Sequence, residues 1–309
     1  MSDPQNEFDL ISLIRARAAL SPRLGLGIGD DAALVRFPPA DGCLVTVDHL
    51  MEGVDFTVPP ATFRQVGWKS LAVNLSDIAA MAGRPLACVA GVVLPRRNGF
   101  EIGRELFAGI LDCAEKFGVA LAGGDTNTWD GPLVVGITVL GEPTGAGPVV
   151  RSGARPGDSI MVTGSFGGSI AGKHLDFTPR VDEALVLHQA ARLHAMIDTS
   201  DGLAADLWHI LEESRVGAVL EEAAIPISSA AAGARDGKSP LEHALSDGED
   251  FELLFTVDPA AAELLLRQPP CTTPITRIGE VTAGSDCFLK SPDGKLNRLP
   301  AIGWKHGFL

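Results

Sequence analysis

The chain has 309 residues, 25 Lys and Arg against 39 Asp and Glu for a formal net charge of -14, and 46% hydrophobic against 21% charged residues. That length implies two domains of about 150 residues each, and the composition excludes a disordered or fibrous chain. The acidic excess, without any run of Lys or Arg, excludes nucleic acid and anionic membranes as partners, because neutralising a phosphate backbone takes clustered cations.

In chain order, the opening MSDPQNEFDL lacks the basic and apolar regions of a signal peptide, and Leu86 to Leu94 is too short an apolar stretch to span a bilayer. CLVTVD reads as a short strand, Thr62 to Met81 as a long helix closed by Gly83, and ACVAGVVLP as a second strand. Asn98 is positioned to cap a helix through Phe117, with Leu106, Phe107, Ile110, Leu111 and Ala114 on its apolar face and Gly118 just past its end. VALAGGD and PLVVGITVLGE are two more strands, and EPTGAGP is the linker, giving expected domains 1–146 and 147–309. Beyond it come the strand in RSGARPGDSIMVTG, a glycine-rich loop, helices at 182–195 and 202–214, strands at AAIPIS, EDFELLFTV and TRIGEV, and a hairpin at SPDGK. Alternating strands and helices make the fold class α/β. Five cysteines, Cys43, Cys88, Cys113, Cys271 and Cys287, lack CxxC spacing and signal neither a disulfide framework nor a zinc site. A cytoplasmic protein is therefore expected.

The acids are concentrated at strand ends and turns: Asp30 and Asp31 in GIGDDAA, Asp48, Glu52 and Asp55 in TVDHLMEGVDF, Asp77 in NLSD, Asp125 in GGDT, Asp198 and Asp201 in IDTSDG. α/β proteins place their sites in such loops. Two carboxylates about 5 Å apart repel by roughly 3 kcal/mol at an effective dielectric of 20, so several share a cleft only with cations between them. Hard oxygen donors of this kind suit magnesium. In the apolar helix WKSLAVNLSDIAAMAG the polar residues Ser70, Asn74 and Asp77 form one stripe, which faces either its own core hydrogen bonds or a polar site. Asp201 stands where an N-cap belongs; alternatively Asp198 and Asp201, with Thr199 and Ser200 between them, form an oxygen cage beside phosphate-binding N–H groups.

Two glycine patterns compete with these acids. Gly167, four residues and then Gly172-Lys173 approach a Walker A loop, but His174 stands where a magnesium-binding Ser or Thr belongs, so a plain glycine-rich turn is expected. GLGIGDD lacks dinucleotide-fold spacing, and its two Asp would repel a pyrophosphate.

The ordered set GIGDDAA, TVDHLMEGVDF, AVNLSDIAAMAG, GGDT, RSGARPGD, MIDTSDGLAADL, GEDFELLFTV and a C-terminal GW resembles the thiamine-monophosphate kinase family over about 280 residues. The resemblance implies the two-domain fold of the aminoimidazole ribonucleotide synthetase-like superfamily. Its N-terminal domain would bind ATP and magnesium and pair its sheet across a homodimer, and its C-terminal domain would complete the cleft. It implies magnesium ligands at Asp30, Thr46, Asp48, Asp77, Asp125, Asp198 and Asp201, and ATP contacts at Gly124, Asp125, Arg151 and Ser200. Thiamine monophosphate would meet Asp55, Glu249 and Trp304, with Asp77, Asp125 and Arg151 carrying catalysis. The chain departs from the family pattern at Asp55, where a His is usual, and in having no tyrosine near Phe107.

The reaction implied is in-line phosphorylation of thiamine monophosphate by ATP. Its nucleophile is an already ionised phosphate oxygen, so positioning and charge neutralisation replace a strong general base. His174, His188, His194 and His209 are then core or surface residues. The alternatives are another ATP-dependent enzyme of the superfamily, for which Cys43 in a strand is a poor selenium-handling nucleophile, and a non-catalytic nucleotide-binding regulator, which would have lost metal-binding Asp residues.

Overall fold

The computed structural model describes residues 7–18, 21–26, 34–37 and 42–304. They fall into two compact units, Met1–Ile78 with Arg84–Pro143, and Ala79–Gly83 with Thr144–Leu309.

The first unit runs α1 (Glu7–Arg17), β1 (Leu24–Leu26), β2 (Leu34–Val35), β3 (Leu44–Met51), α2 (Phe63–Ala80), β4 (Arg84–Pro95), α3 (Gly99–Phe117), β5 (Ala120–Trp129) and β6 (Val134–Glu142). Its main sheet has the order β3-β6-β4-β5, antiparallel except for the β4/β5 pair that α3 bridges. Alternation along the strands separates two faces. Cys88, Ala90, Val92, Val135, Ile137 and Val139 are buried on one. Val45, Val47, Met51 and Val89 are on the other, 38–62% exposed. Strand β3 thus carries Val45, Val47 and Met51 on its exposed face, an unusual arrangement for a lone domain.

Helices α2 and α3 cross where neither has a side chain. A Cβ on Gly67 would lie 1.9 Å from the Leu106 carbonyl oxygen, and one on Gly109 1.8 Å from that of Arg64. Helix α3 ends as expected: Gly118, at φ 65°, donates to Glu115 O, and Val119 donates to Ala114 O, a paired C-terminal closure. Its start differs. Asn98 makes no side-chain cap and adopts a left-handed φ of 59°, a conformation Asn tolerates better than most residues. Likewise Ala82, at φ 50°, turns the chain after α2 in place of Gly83.

The second unit contains β7 (Ser159–Thr163), α4 (Lys173–Asp176), α5 (Val181–Ala190), β8 (Leu193–Asp198), α6 (Leu203–Ser214), β9 (Gly217–Glu221), α7 (Ser229–Gly233), α8 (Pro240–Ser246), β10 (Leu253–Val257), α9 (Pro259–Arg267), β11 (Ile275–Thr282), β12 (Cys287–Lys290) and β13 (Leu296–Arg298). Its sheet has the order β13-β12-β9-β11-β7-β10-β8 and is antiparallel apart from β9/β12. Helix α6 buries Leu203, Leu207, Ile210 and Leu211 in the main core with Ile160, Val162, Leu254 and Val281. At about 1.5–3 kcal/mol for each fully buried aliphatic side chain, this packing fixes where α6 begins, and hence where the acidic segment before it lies.

Three expectations change here. The helix expected over 182–195 stops at Ala190, and Leu193–Asp198 is strand β8. AAIPIS is not a strand: residues 222–224 form a 3-10 turn, Pro226 has no N–H to donate, and Ile227 makes only an isolated bridge with Phe166. In EDFELLFTV the strand begins only at Leu253, because Glu249 and Phe251 take left-handed φ values of 54° and 50°. The SPDGK hairpin forms as expected, closed by Ser291 N–H to Lys295 O at 2.9 Å between β12 and β13.

Candidate active site

In the first unit, Thr46 and Asp48 lie on the β3 face that pairs laterally with Val139 and Ile137, the buried side of the sheet. From α2, Asp77 accepts a hydrogen bond from the Thr46 hydroxyl, so strand and helix meet at a carboxylate. The α2 stripe divides. Ser70 donates to Gly67 O at 2.9 Å and Asn74 to Ser70 O at 3.0 Å, inside the helix, while Asp77 reaches outward. The Asn74 side-chain oxygen Oδ1 is nonetheless buried without a hydrogen-bond partner.

Asp55 belongs to a closed turn. Its carboxylate accepts from Met51 N–H at 2.7 Å, and its carbonyl accepts from the ammonium of Lys69, a fully buried lysine, at 2.9 Å. One carboxylate oxygen is therefore engaged in local structure. Gly124 and Asp125 are exposed on edge strand β5. The register sets Asp125 beside Gly91, Gly136 and His49, on the open face, opposite Thr46 and Asp48. Within the first unit, then, Thr46 meets Asp77, Asp48 shares that face of the sheet, and Asp125 lies on the other. Asp30 lies outside the described residues. Cys43 precedes β3 rather than sitting in it, and is exposed.

In the second unit, Asp198 ends β8 and Asp201 follows two residues before α6. Asp201 is not the cap. The N-terminal N–H groups of Asp201 and Gly202 donate to Asp206, at 3.2 and 3.0 Å, from within the first turn of the helix. Asp201, Asp206 and His209 offer ligand atoms within 4.8 Å of one another. Burial, then the negative charges of Asp198 and Asp201, push the Asp206 carboxyl up to about 8. A divalent cation among these oxygens would reverse that penalty, so the donor set fits magnesium, with hard carboxylate oxygens in excess.

The surrounding residues converge on the same segment. Glu249 donates its N–H to Ser200 O at 2.7 Å, Phe251 to Thr199 O at 2.8 Å, and Trp304 to Asp201 O at 2.8 Å. Ser200, Glu249 and Trp304 are thereby held on the Asp198–Asp201 backbone, with Trp304 more than half exposed. Arg151 is exposed at the start of a 3-10 turn, where its carbonyl accepts from Ser214 of α6 at 2.7 Å. Asp206 was missed from sequence. Its signal was an acid set in the apolar run Leu203 to Leu207, where nothing but a cap or a site keeps a carboxylate buried.

The glycine-rich loop binds the protein's own acids. Gly167 N–H donates to Asp250 at 2.8 Å and Gly168 N–H to Asp247 at 2.9 Å, while Lys173 pairs with Glu252 at 3.0 Å. The donors a phosphate would need are engaged, as expected for a plain turn.

Comparison with known proteins matches residues 29–142 to the AIR synthase related protein N-terminal domain, and residues 155–291 to the corresponding C-terminal domain. The chain is 41% identical over 310 residues to the thiamine-monophosphate kinase of Rhodopirellula baltica, covering 97% of each protein. It is 35% identical to that of Escherichia coli, over 97% of this chain and 98% of the relative. The chain belongs to the thiamine-monophosphate kinase family. Among solved structures of the family, the Stenotrophomonas maltophilia enzyme superposes with a TM-score of 0.80 at 34% identity, covering 94% of this chain and 98% of that one. AaThiL complexed with AMPPCP and TMP superposes at 0.76 with 30% identity, covering 99% and 100%. The hydrogenase maturation protein HypE, at 21% identity and a TM-score of 0.79, shares the fold. The family's two-domain α/β architecture is thus that of this chain.

Proposed function

We propose that this protein transfers the γ-phosphoryl group of ATP to the phosphate of thiamine monophosphate, giving thiamine diphosphate and ADP. The end-to-end identity to thiamine-monophosphate kinases carries this reading. The likeness to a relative whose structure holds an ATP analogue and TMP supports the pair of substrates.

Asp198, Asp201 and Asp206 in the second unit, and Thr46, Asp48 and Asp77 in the first, would hold magnesium, with Asp30 and Asp125 as further ligands. Magnesium bound there would neutralise the phosphate charge that builds up in transfer. Gly124, Asp125, Arg151 and Ser200 would contact ATP, the exposed Arg151 offering the planar fork suited to phosphate oxygens. Asp55, Glu249 and Trp304 would receive thiamine monophosphate, the carboxylates facing its cationic part and the exposed indole stacking on it. The nucleophile is an ionised phosphate oxygen. It forms a bond to the γ-phosphorus as the bond to the bridging oxygen breaks, and no proton needs to be removed.

The histidines agree with that absence of a base. His174 bonds Ser169 O, His188 bonds Gly147 O and His194 sits on Asp158, each engaged in structure. His209, beside Asp206, is a surface residue at the edge of the acid cluster.

The active form would be a cytoplasmic homodimer joined through the open face of the first unit's sheet. Exposed Val45, Val47, Met51 and Val89 support the pairing; free cysteines and the lack, among the described residues, of a helix able to cross a membrane agree with the location. Light scattering should report a dimer that Val47→Asp converts to a monomer; a wild-type monomer at micromolar concentration rejects the pairing.

Purified protein incubated with ATP, magnesium and thiamine monophosphate should yield thiamine diphosphate, and free thiamine should not be phosphorylated. Absence of product from the monophosphate would refute the assignment.

A further inference from the structure

The six residues Asp247–Glu252 are strapped on two sides. One strap is the backbone of the Asp198–Asp201 segment: Ser200 O accepts from Glu249 N–H, Thr199 O accepts from Phe251 N–H, and Thr199 N–H donates to Glu252 O at 2.9 Å. The other is the glycine-rich loop with the residues that follow it. Gly168 N–H holds the Asp247 carboxylate, Ser169 Oγ donates to the Glu249 carbonyl at 2.6 Å, and Gly167 N–H holds Asp250. Phe177 stacks on Phe251 with ring centroids 4.0 Å apart and planes 12° from parallel. Glu252, almost fully buried, takes two bonds from Arg180 at 2.7 and 2.8 Å, one from Lys173 at 3.0 Å and one from Thr163 at 2.9 Å.

Every residue of the segment except Gly248 is thus gripped by the glycine-rich loop or the residues that follow it. The grip opposes real strain. Glu249 and Phe251 both hold left-handed backbone conformations that non-glycine residues avoid, and such conformations persist only where the surroundings over-determine them. They are typical of sites that must present a side chain in one direction.

We infer that the glycine-rich loop is a positioning clamp, in which Ser169 fixes the backbone of Glu249 and Lys173 with Arg180 lock the same segment through Glu252, so that Glu249 is presented to the thiamine substrate. This rests on the reading above that Glu249 meets thiamine monophosphate. It gives the near-Walker sequence a task in substrate binding that needs no nucleotide. Ser169, Lys173 and Arg180 are positioning residues: they act through Glu249 and touch no reacting atom.

The test uses the full-length protein in steady-state assays with each substrate varied in turn. Ser169→Ala should raise the Michaelis constant for thiamine monophosphate about tenfold, as expected for one lost buried hydrogen bond, and leave that for ATP within about twofold. Lys173→Met, at a side chain more than a third exposed, should raise it about threefold, and Lys173→Arg should restore it. Glu249→Gln run in parallel separates the two readings. If Glu249→Gln raises the constant for the thiamine substrate and the Ser169 and Lys173 variants do not, the clamp is wrong. If Glu249→Gln itself changes nothing, Glu249 is not a substrate residue and the clamp loses its object. An equal rise for both substrates, or no rescue by Lys173→Arg, marks a structural loop and overturns the inference.

Discussion

Two segments of the second unit look alike in sequence, a small-residue loop following a strand and leading into a helix: GSFGGSIAGK after β7, and TSDG after β8. They differ in what their polar groups have left to do. In the first, the N–H groups of Gly167 and Gly168 are bonded to Asp250 and Asp247, and the lysine is neutralised by Glu252. In the second, burial and then the neighbouring charges of Asp198 and Asp201 push the Asp206 carboxyl up to about 8. A loop whose donors are satisfied by its own chain has none left for a phosphate, whereas crowded carboxylates fit a cation. Spacing of glycines carries none of this information. The charge of the neighbours does.

The largest expected effect comes from setting the acids against the glycine loop directly. Asp77→Asn or Asp201→Asn should lower turnover by at least about a thousandfold, the scale of losing a preorganised electrostatic contact in a phosphoryl-transfer site, while Lys173→Ala costs less than about tenfold. Steady-state rates on variants of matched thermal stability decide it; the opposite ranking would move the nucleotide to the glycine loop.

A smaller effect concerns Asp250, under that loop. Burial, opposed by the Gly167 N–H, raises its carboxyl from 3.8 to about 7, and its second oxygen is buried without a hydrogen-bond partner. The folded state therefore keeps a proton between about pH 4 and 7 that the unfolded chain releases. Stability from this group is complete below pH 4 and is lost as pH rises to 7. Asp250→Asn cannot ionise, so it should match the wild type near pH 4 and exceed it by about 2–4 kcal/mol at pH 8. Denaturant melts at the two pH values read this out, and an equal difference at both would show that Asp250 does not titrate in this range.

The sequence made the acid motifs and the first unit legible because both rest on local signals. Helix α3 shows clear apolar periodicity, helix α2 is a long, almost wholly apolar run, and Gly118 ends α3 with the hydrogen bonds a terminal glycine supplies. Where reading failed, the deciding partner was distant. No Gly or Pro separates Ala190 from Leu193, so α5 and β8 read as one helix until the sheet claims the second. Asp201 stands at the N-cap position by spacing, yet Asp206 takes the two N–H groups from inside the helix. The placement of Asp125 on the open face of the sheet, opposite Thr46 and Asp48, is likewise set by distant strands and is not legible in the GGDT motif. That one oxygen of Asp55 closes the turn on Met51 is also legible only in the fold.

Titration calorimetry of ATP into the purified protein tests most directly the proposal that the carboxylate clusters bind ATP through magnesium. With magnesium present, binding should be readily measured; in excess chelator it should weaken by at least about a hundredfold, because the acids then face the triphosphate unshielded. Equally tight ATP binding in chelator would contradict the account.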